Sequence, residues 1–429
     1  MNPETSAGNS AAAGTRLANL IRRYALLAML PVLLLGSYYS FTHHVINRSP
    51  GETGSVALSL LNKGVMADPY LIPTGPTAHT APGTVGLLAM TYAIFDGNTP
   101  SARIAQGVLA LLFYLGGVWL VIHYCRQQRL CLPGLVGALL LTCVLPVHLY
   151  ATIVFWRQWD QPVSALLIMA LLLAWTMPRA PRERPYTRAI VIAVIGGIGG
   201  LFAPILPIIA CIAELHLGWK SRAWRPAVVG TVLILASLAP WAVRNQQMLG
   251  SAILTRSNFG LELAVGNHAG ATGVYKLAGA PAIHPYNYVD AAQRLATIGE
   301  VAYMAEMKQR AMGWITANPE AFFKLSVTRA RLLFFPEMVD GDPLFSWAKQ
   351  IVVWATSLLM LGMLLTVFLM RLPVLPWIAC VLLPVGPYIL THATQRYAFP
   401  TYFAAVCLIA TGIDALVRRS RLRTAQCFS

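Results

Sequence analysis

The chain has 429 residues, 57% of them hydrophobic and only 11% charged, with a positive mean hydropathy. Apolar segments recur from residue 24 to residue 417, which excludes a soluble globular protein and implies a polytopic helical membrane protein. The net charge of +16 does not mark a nucleic-acid partner. The basic residues stand in small clusters at the ends of apolar runs, the pattern of membrane topology rather than of a DNA footprint.

Residues 1–23 read as a disordered cytoplasmic tail without a cleavable signal pattern, and Arg16, Arg22 and Arg23 precede an uncleaved first anchor. The fold expected is all-α, with about ten transmembrane helices near 24–42, 103–123, 132–151, 162–178, 187–203, 204–218, 226–243, 349–370, 373–391 and 399–417, each close to the ~20 residues that cross a bilayer core. An even count places both termini on one side. The clusters Arg126 and Arg129, Arg179 to Arg188, Lys220 to Arg225, Arg371 and Arg418 to Arg423 fix that side as cytoplasmic, so a multi-pass protein of the inner (plasma) membrane is expected. One long span over 187–218 would throw Lys220, Arg222 and Arg225 outside, so Pro204 and Pro207 divide this segment into two.

The transmembrane region 24–243 thus holds a first periplasmic loop, 43–102, with juxtamembrane helices. A second periplasmic region, 244–348, precedes the C-terminal helices 349–417 and a basic cytoplasmic tail, 418–429. Within the first loop, the apolar run from Thr84 to Phe95 reaches only ~18 Å against a ~30 Å core, so it lies in the interface or dips in and returns. Two amphipathic helices are predicted in 244–348. Asp290 caps one that carries Leu295, Ile298, Val301, Met304 and Ile315; Asn318-Pro319-Glu320 opens another that carries Phe322, Phe323, Leu325, Leu332 and Leu333 among Lys324, Arg329 and Arg331. The seven cysteines show neither zinc spacing nor a framework of pairs and read as small core residues.

This topology brings polar residues from distant parts of the chain to the outer face: Glu52, His79, Asp160, Arg244, Arg256, His268, His392 and Arg396. Glu52 lies in the loop from Arg48 to Gly83, beside Asp68 and His79. A hydrated surface carboxylate is its plain alternative. Asp160 sits where one span ends and the next begins at Pro162, a position that also suits a helix cap. Arg244, at an outer span end, is placed to grip a lipid phosphate bidentately. Arg396-Tyr397 is pinned between the last two spans, where it also reads as an interfacial anchor. The glycines and asparagines of Asn258-Phe259-Gly260 and Gly266-Asn267-His268 to Gly273 mark backbone turns and close approach.

Across most of its length the chain resembles the bacterial GT-C glycosyltransferases related to protein O-mannosyltransferases and to the lipid A aminoarabinose transferase. The matching pieces, in order, are an acidic first outer loop running into Leu60-Leu61-Asn62-Lys63-Gly64; Thr80-Ala81-Pro82-Gly83 with the short apolar run to Phe95-Asp96-Gly97; Pro240-Trp241 with Arg244-Asn245; Gly266-Asn267; and Arg396-Tyr397 with Pro400. The resemblance implies a sugar donor carried on polyprenyl phosphate, such as undecaprenyl phosphate, and inverting transfer to a lipid, glycan or protein hydroxyl at the periplasmic face. It makes Glu52 the general base, Asp160 a second acid, and Arg244 and Arg396, with Arg256, the donor-phosphate ligands. His79, Asn267, His268, His392 and Tyr397 are the candidate substrate-binding residues. The sequence departs from the family where an Asp-Glu pair followed by tyrosine is reduced to Glu52 with Thr53-Gly54-Ser55 after it.

The chemistry stands without the family name. A hydroxyl attacking an anomeric carbon needs a carboxylate within reach, and a departing phosphate needs cations. Such a base works best with a pKa raised towards neutrality by partial burial. No two of His43, His44, His79, His268 and His392 show helix-face spacing for a metal; no cofactor is assigned, and a divalent cation held by loops folded together is left open. Three rival readings remain at this level, one of them a non-catalytic scaffold in an envelope complex that would not depend on Arg244, Arg396 and Glu52. A polyprenyl-linked glycan polymerase or ligase would use a diphosphate donor and dispense with the base. A lipid flippase or transporter would place ionisable residues mid-bilayer, where here the apolar runs are almost free of them.

Overall fold

The computed structural model describes residues 50–144, 161–178, 184, 186–274, 281–337 and 343–427, with positions 16, 19, 20, 30 and 34. The expected first span and Asp160 lie outside the described residues. Among those described the structure is helical, with two isolated β-bridges, Ala67 to Pro76 and Val274 to Ala393.

Proline, glycine and arginine decide where the apolar helices begin and end. Helix α1 (Gly51–Lys63) closes on Gly64 in the left-handed region, and α2 (Pro82–Ile94) starts at a proline that lacks the amide a first turn cannot use. Helix α3 (Pro100–Gln127) repeats that start, and the Thr99 hydroxyl accepts from the Ala102 amide at 3.2 Å. Helices α4 (Leu132–Val144), α5 (Gln161–Thr176), α6 (Thr187–Gly200), α7 (Ile205–Ser221) and α8 (Trp224–Leu249) follow. On the side read as cytoplasmic, Arg129, Arg222 and Arg371 all hold positive φ, of 49°, 53° and 56°.

The break expected at Pro204 is present, and the two helices it separates form an antiparallel hairpin. A Cβ on Gly196 would lie 2.4 Å from Ala210 Cβ, and one on Gly199 2.6 Å from Leu206 Cβ, so the absent side chains let the helices close on each other. Helix α8 completes a local three-helix unit, with Gly200 against Leu238 and Gly230 against Glu214.

The polar region after α8 contains α9 (Phe259–Gly266), α10 (Val289–Ile298), α11 (Glu300–Ala317) and α12 (Pro319–Phe334). The helix expected after Asp290 is two helices. Gly299, at φ 85°, breaks the run, and Asp290 lies within the first turn of α10 after Tyr288 as cap. Asn318-Pro319-Glu320 opens α12 as expected, although the Asn318 side chain turns back to the Trp314 carbonyl. The apolar faces of α9, α10 and α11 meet in a small core around Leu261, Leu295, Tyr303 and Met307.

Helix α13 (Pro343–Leu369) returns to the apolar layer. Segment α14 (Leu375–Leu390) passes from α to π to 3₁₀ to α geometry around Pro384 and Pro387, which remove backbone donors mid-run. Helix α15 (Tyr402–Cys427) then packs antiparallel on α4 and against α3, where Phe403 lies across the space of Gly117. Its Asp414 accepts from the Cys131 amide and from Arg418 Nε, both at 2.6 Å. Among the described residues four helices are long and apolar enough to cross a membrane: Pro100–Gln127, Trp224–Leu249, Gln350–Leu369 and Phe399–Leu422. The chain is an all-α integral membrane protein.

The hairpin contact sets the first prediction. Gly196→Leu forces α6 from α7 and lowers stability by about 1–3 kcal/mol, read as thermal unfolding in detergent. Gly86→Ala, where a Cβ meets open space, leaves stability equal or slightly raised.

Candidate active site

The loop between α1 and α2 is built around its own acids and carbonyls. Asp68, at φ 58°, accepts from the amides of Thr74 and Gly75 at 2.9 and 2.8 Å and pairs with Lys63 at 2.7 Å. Burial pushes its carboxyl up, and these donors outweigh that and hold it below the ordinary aspartate value. The strand-like stretch on either side is gripped by Arg244, whose guanidinium donates to the carbonyls of Met66 and Thr77 at 2.9 and 2.8 Å and to Asn245 Oδ1 at 2.9 Å. Its flat face lies 4.9 Å from the Trp241 ring. Arg256 donates to the Phe202 carbonyl at 2.7 Å, tying the segment after α8 to the hairpin turn.

This scaffold aims His79 at Glu52. The carboxylate sits in the first turn of α1, 17% exposed, with His79 Nε2 at 3.4 Å and His284 Nε2 at 3.8 Å from its Oε1. His79 Nδ1 meets the Tyr70 hydroxyl at 2.9 Å. His284 Nδ1 accepts from the Tyr286 amide at 3.3 Å, which places the proton of a neutral ring on Nε2, facing Glu52. Sequence reasoning finds Glu52 and His79 but misses Tyr70 and His284, which carry no spacing signal.

Burial pushes the Glu52 carboxyl up, but His79, then His284 and Arg396, pull it down further, and it lies below the ordinary value of 4.5. Burial pushes His79 down, and Glu52, Glu300 and Glu262 raise it above 6.5. The expectation of a carboxyl raised towards neutrality is therefore reversed in the resting site: the imidazole opposite Glu52 favours the charged pair over the desolvated acid.

A second polar group lies within electrostatic reach of the first. His392, buried, meets Tyr397 Oη through Nε2 at 3.0 Å and Glu262 Oε2 through Nδ1 at 3.7 Å. Asn258 Nδ2 donates to the other oxygen of Glu262 at 3.2 Å. Arg396 donates to Tyr397 Oη at 3.4 Å and lies 5.1 Å from that ring, which stacks on Tyr388 at 3.8 Å. Burial pushes His392 down in spite of Glu262.

The remaining candidates have other surroundings. Asn267 donates to the carbonyls of Leu263 and Leu390 and accepts from the fully buried Arg329. His268 Nδ1 accepts from the Gly270 amide at 3.1 Å, and burial holds its ring below the ordinary value. Among the described residues no group of three or more His, Cys, Asp or Glu is arranged to hold a metal ion.

The sequence matches no protein-family profile and no curated protein. Among solved structures it is similar to the Archaeoglobus fulgidus oligosaccharyltransferase AglB in complex with an inhibitory peptide and a dolichol-phosphate, at 14% identity and TM-score 0.45 over 94% of this chain and 52% of that one. It is also similar to ArnT from Cupriavidus metallidurans, at 15% identity and TM-score 0.39 over 90% of this chain and 76% of that one. For ArnT bound to undecaprenyl phosphate the identity is 13% and the TM-score 0.37 over 92% and 78%. The chain spans about half the length of the oligosaccharyltransferase structures that it matches.

The Glu52–His79 pair sets a pH signature. Its contribution to stability is full between the ordinary values of 4.5 and 6.5. It is lost on the acid side as pH falls through the depressed Glu52 pKa, and on the alkaline side as pH rises through the raised His79 pKa. Unfolding temperature followed against pH shows both slopes in the wild type and shallower ones in Glu52→Gln, where Asp68 still contributes on the acid side.

Proposed function

We propose that this chain is a membrane glycosyltransferase of GT-C type, taking a sugar from a polyprenyl-phosphate donor to a lipid, glycan or protein hydroxyl at the periplasmic face. The observation that carries this reading is a largely buried carboxylate, Glu52 on α1, held 3.4 Å from His79 and within electrostatic reach of Arg396 from the turn before α15. Some 340 residues of chain separate an acid and a cation that the transfer needs together. The order of motifs along the sequence supports the same reading.

In the proposed reaction the acceptor hydroxyl gives its proton to Glu52 as its oxygen bonds to the anomeric carbon. The bond from that carbon to the phosphate oxygen breaks, and the polyprenyl phosphate leaves with the electron pair. One displacement inverts the anomeric configuration. Arg396, set over the Tyr397 ring that itself stacks on Tyr388, takes up the charge on the leaving phosphate. Arg244 and Arg256 serve this site by bonding the carbonyls that shape its walls; Arg396 is the phosphate ligand in this scheme. His79 governs the base. As an imidazolium it holds the Glu52 proton affinity low, and on losing its proton it frees the carboxylate to accept one.

Mass spectrometry of envelope lipids and glycans, with and without the gene, tests the function: a missing sugar mass is expected, and an unchanged envelope under all growth conditions overturns it. With the donor so identified, Glu52→Gln lowers transfer by about 10²–10⁴-fold; full activity of this variant favours a diphosphate-donor polymerase or ligase. Transfer by the wild type rises with pH through the raised His79 pKa, above 6.5, and His79→Gln removes that acid limb of the pH–rate profile.

A further inference from the structure

Glu300 is the first residue of α11, entered from Gly299 at φ 85°, and is 5% exposed. Both its oxygens are used. One accepts from the Thr77 hydroxyl; the other accepts from the Ala78 amide at 2.8 Å and the Ser257 hydroxyl at 2.7 Å. The same short segment is held from its other sides. The Ala78 carbonyl accepts from the Ser257 amide at 3.0 Å, the Thr77 carbonyl from Arg244 at 2.8 Å, and Thr77 Oγ1 from the His79 amide at 2.9 Å. His79 is the next residue in the chain, so its approach to Glu52 is fixed by a carboxylate 221 positions away in sequence.

We propose that Glu300 is a positioning residue for the transfer reaction: it clamps Thr77-Ala78 so that His79 faces Glu52, and it supplies a second negative charge behind the imidazole. The proposal rests on the reading of Glu52 as the base. A glutamine could not fill the role, because it offers one acceptor oxygen where three donors converge on two, and it carries no charge. The groups that face His79 are Glu52 from α1, Tyr70 from its own loop, Glu300 from α11 and Glu262 from α9, with His284 and Arg396 reaching it through Glu52. An imidazole between carboxylates retains its proton longer than one facing Glu52 alone.

The test reads His79 directly and needs no substrate. The full chain, labelled with nitrogen-15 in its histidine rings and held in lipid nanodiscs, is titrated by NMR, with His79→Gln to assign the signal. In folded Glu300→Gln the His79 midpoint moves down, towards 6.5; a midpoint equal to the wild type overturns the proposal. Should Glu300→Gln fail to fold, Thr77→Val decides, since it removes one arm of the clamp at similar volume. With the clamp loosened, Glu52→Gln moves the His79 midpoint less than it does in the wild type; an undiminished shift overturns the proposal. A glutamate that merely packs the loop would change unfolding temperature in these variants and leave the titration in place. Absence of sugar transfer would overturn the proposed function without touching this result.

Discussion

The polar region that carries the site depends on one buried guanidinium. Arg329, on α12, has no exposed surface, and its donors go to the carbonyl of Gly266, the carbonyls of Ile389 and Leu390 and the side-chain oxygen of Asn267. Those carbonyls are the C-terminal ends of α9 and α14, which have no helical amide left to accept from and bear the negative end of each helix dipole. Burial pushes Arg329 down to about 10, so it stays charged at neutral pH. Desolvating the cation costs several kcal/mol, and the convergence of two helix ends on it offsets that. Gly266 completes the joint, since a Cβ there would sit 1.9 Å from the Thr391 carbonyl oxygen.

That joint sets the spacing within the second polar group of the site. Helix α9 carries Glu262, and the segment leaving α14 carries His392 and Arg396; their spacing follows from the shared attachment to Arg329. On the other side, Arg244 and Asp68 organise the loop that presents His79. The site is therefore a meeting of separately braced walls. Its charges alternate, acid beside imidazole beside acid, in surroundings where burial strengthens each interaction.

Much of this arrangement was legible in the sequence. Proline at the first helical position, the division at Pro204 and the arginines closing inner helix ends are local signals, and each has a local physical cause. Glu52, His79, His392 and Arg396 could be named because topology assigns them to one face. Tyr70, Glu262, His284, Glu300 and Arg329 could not. They are single polar residues inside amphipathic or irregular stretches, where the same letters serve equally well as solvated surface. Arg329 shows the difficulty most clearly. Among Lys324 and Arg331 it reads as a headgroup contact, yet it is buried while Lys324 remains 73% exposed. The reversed direction of the Glu52 pKa has the same origin, because burial is legible in composition while the imidazole opposite the acid is a tertiary fact. Helix α10 and α11 were joined in the sequence reading because the apolar spacing continues through Gly299, and only the backbone at that glycine breaks it.

The local three-helix unit has a consequence for biogenesis. Helices α6, α7 and α8 make contacts with their immediate neighbours in the chain, so this part can close soon after it leaves the ribosome. Arg396 and the antiparallel partner of α4 arrive some 150 residues later. Until α15 is inserted, α4 lacks the helix that covers it. Completion of the membrane bundle and assembly of the site thus fall in the same late step, and a nascent chain stalled before it would hold Glu52 and His79 without Arg396 and His392.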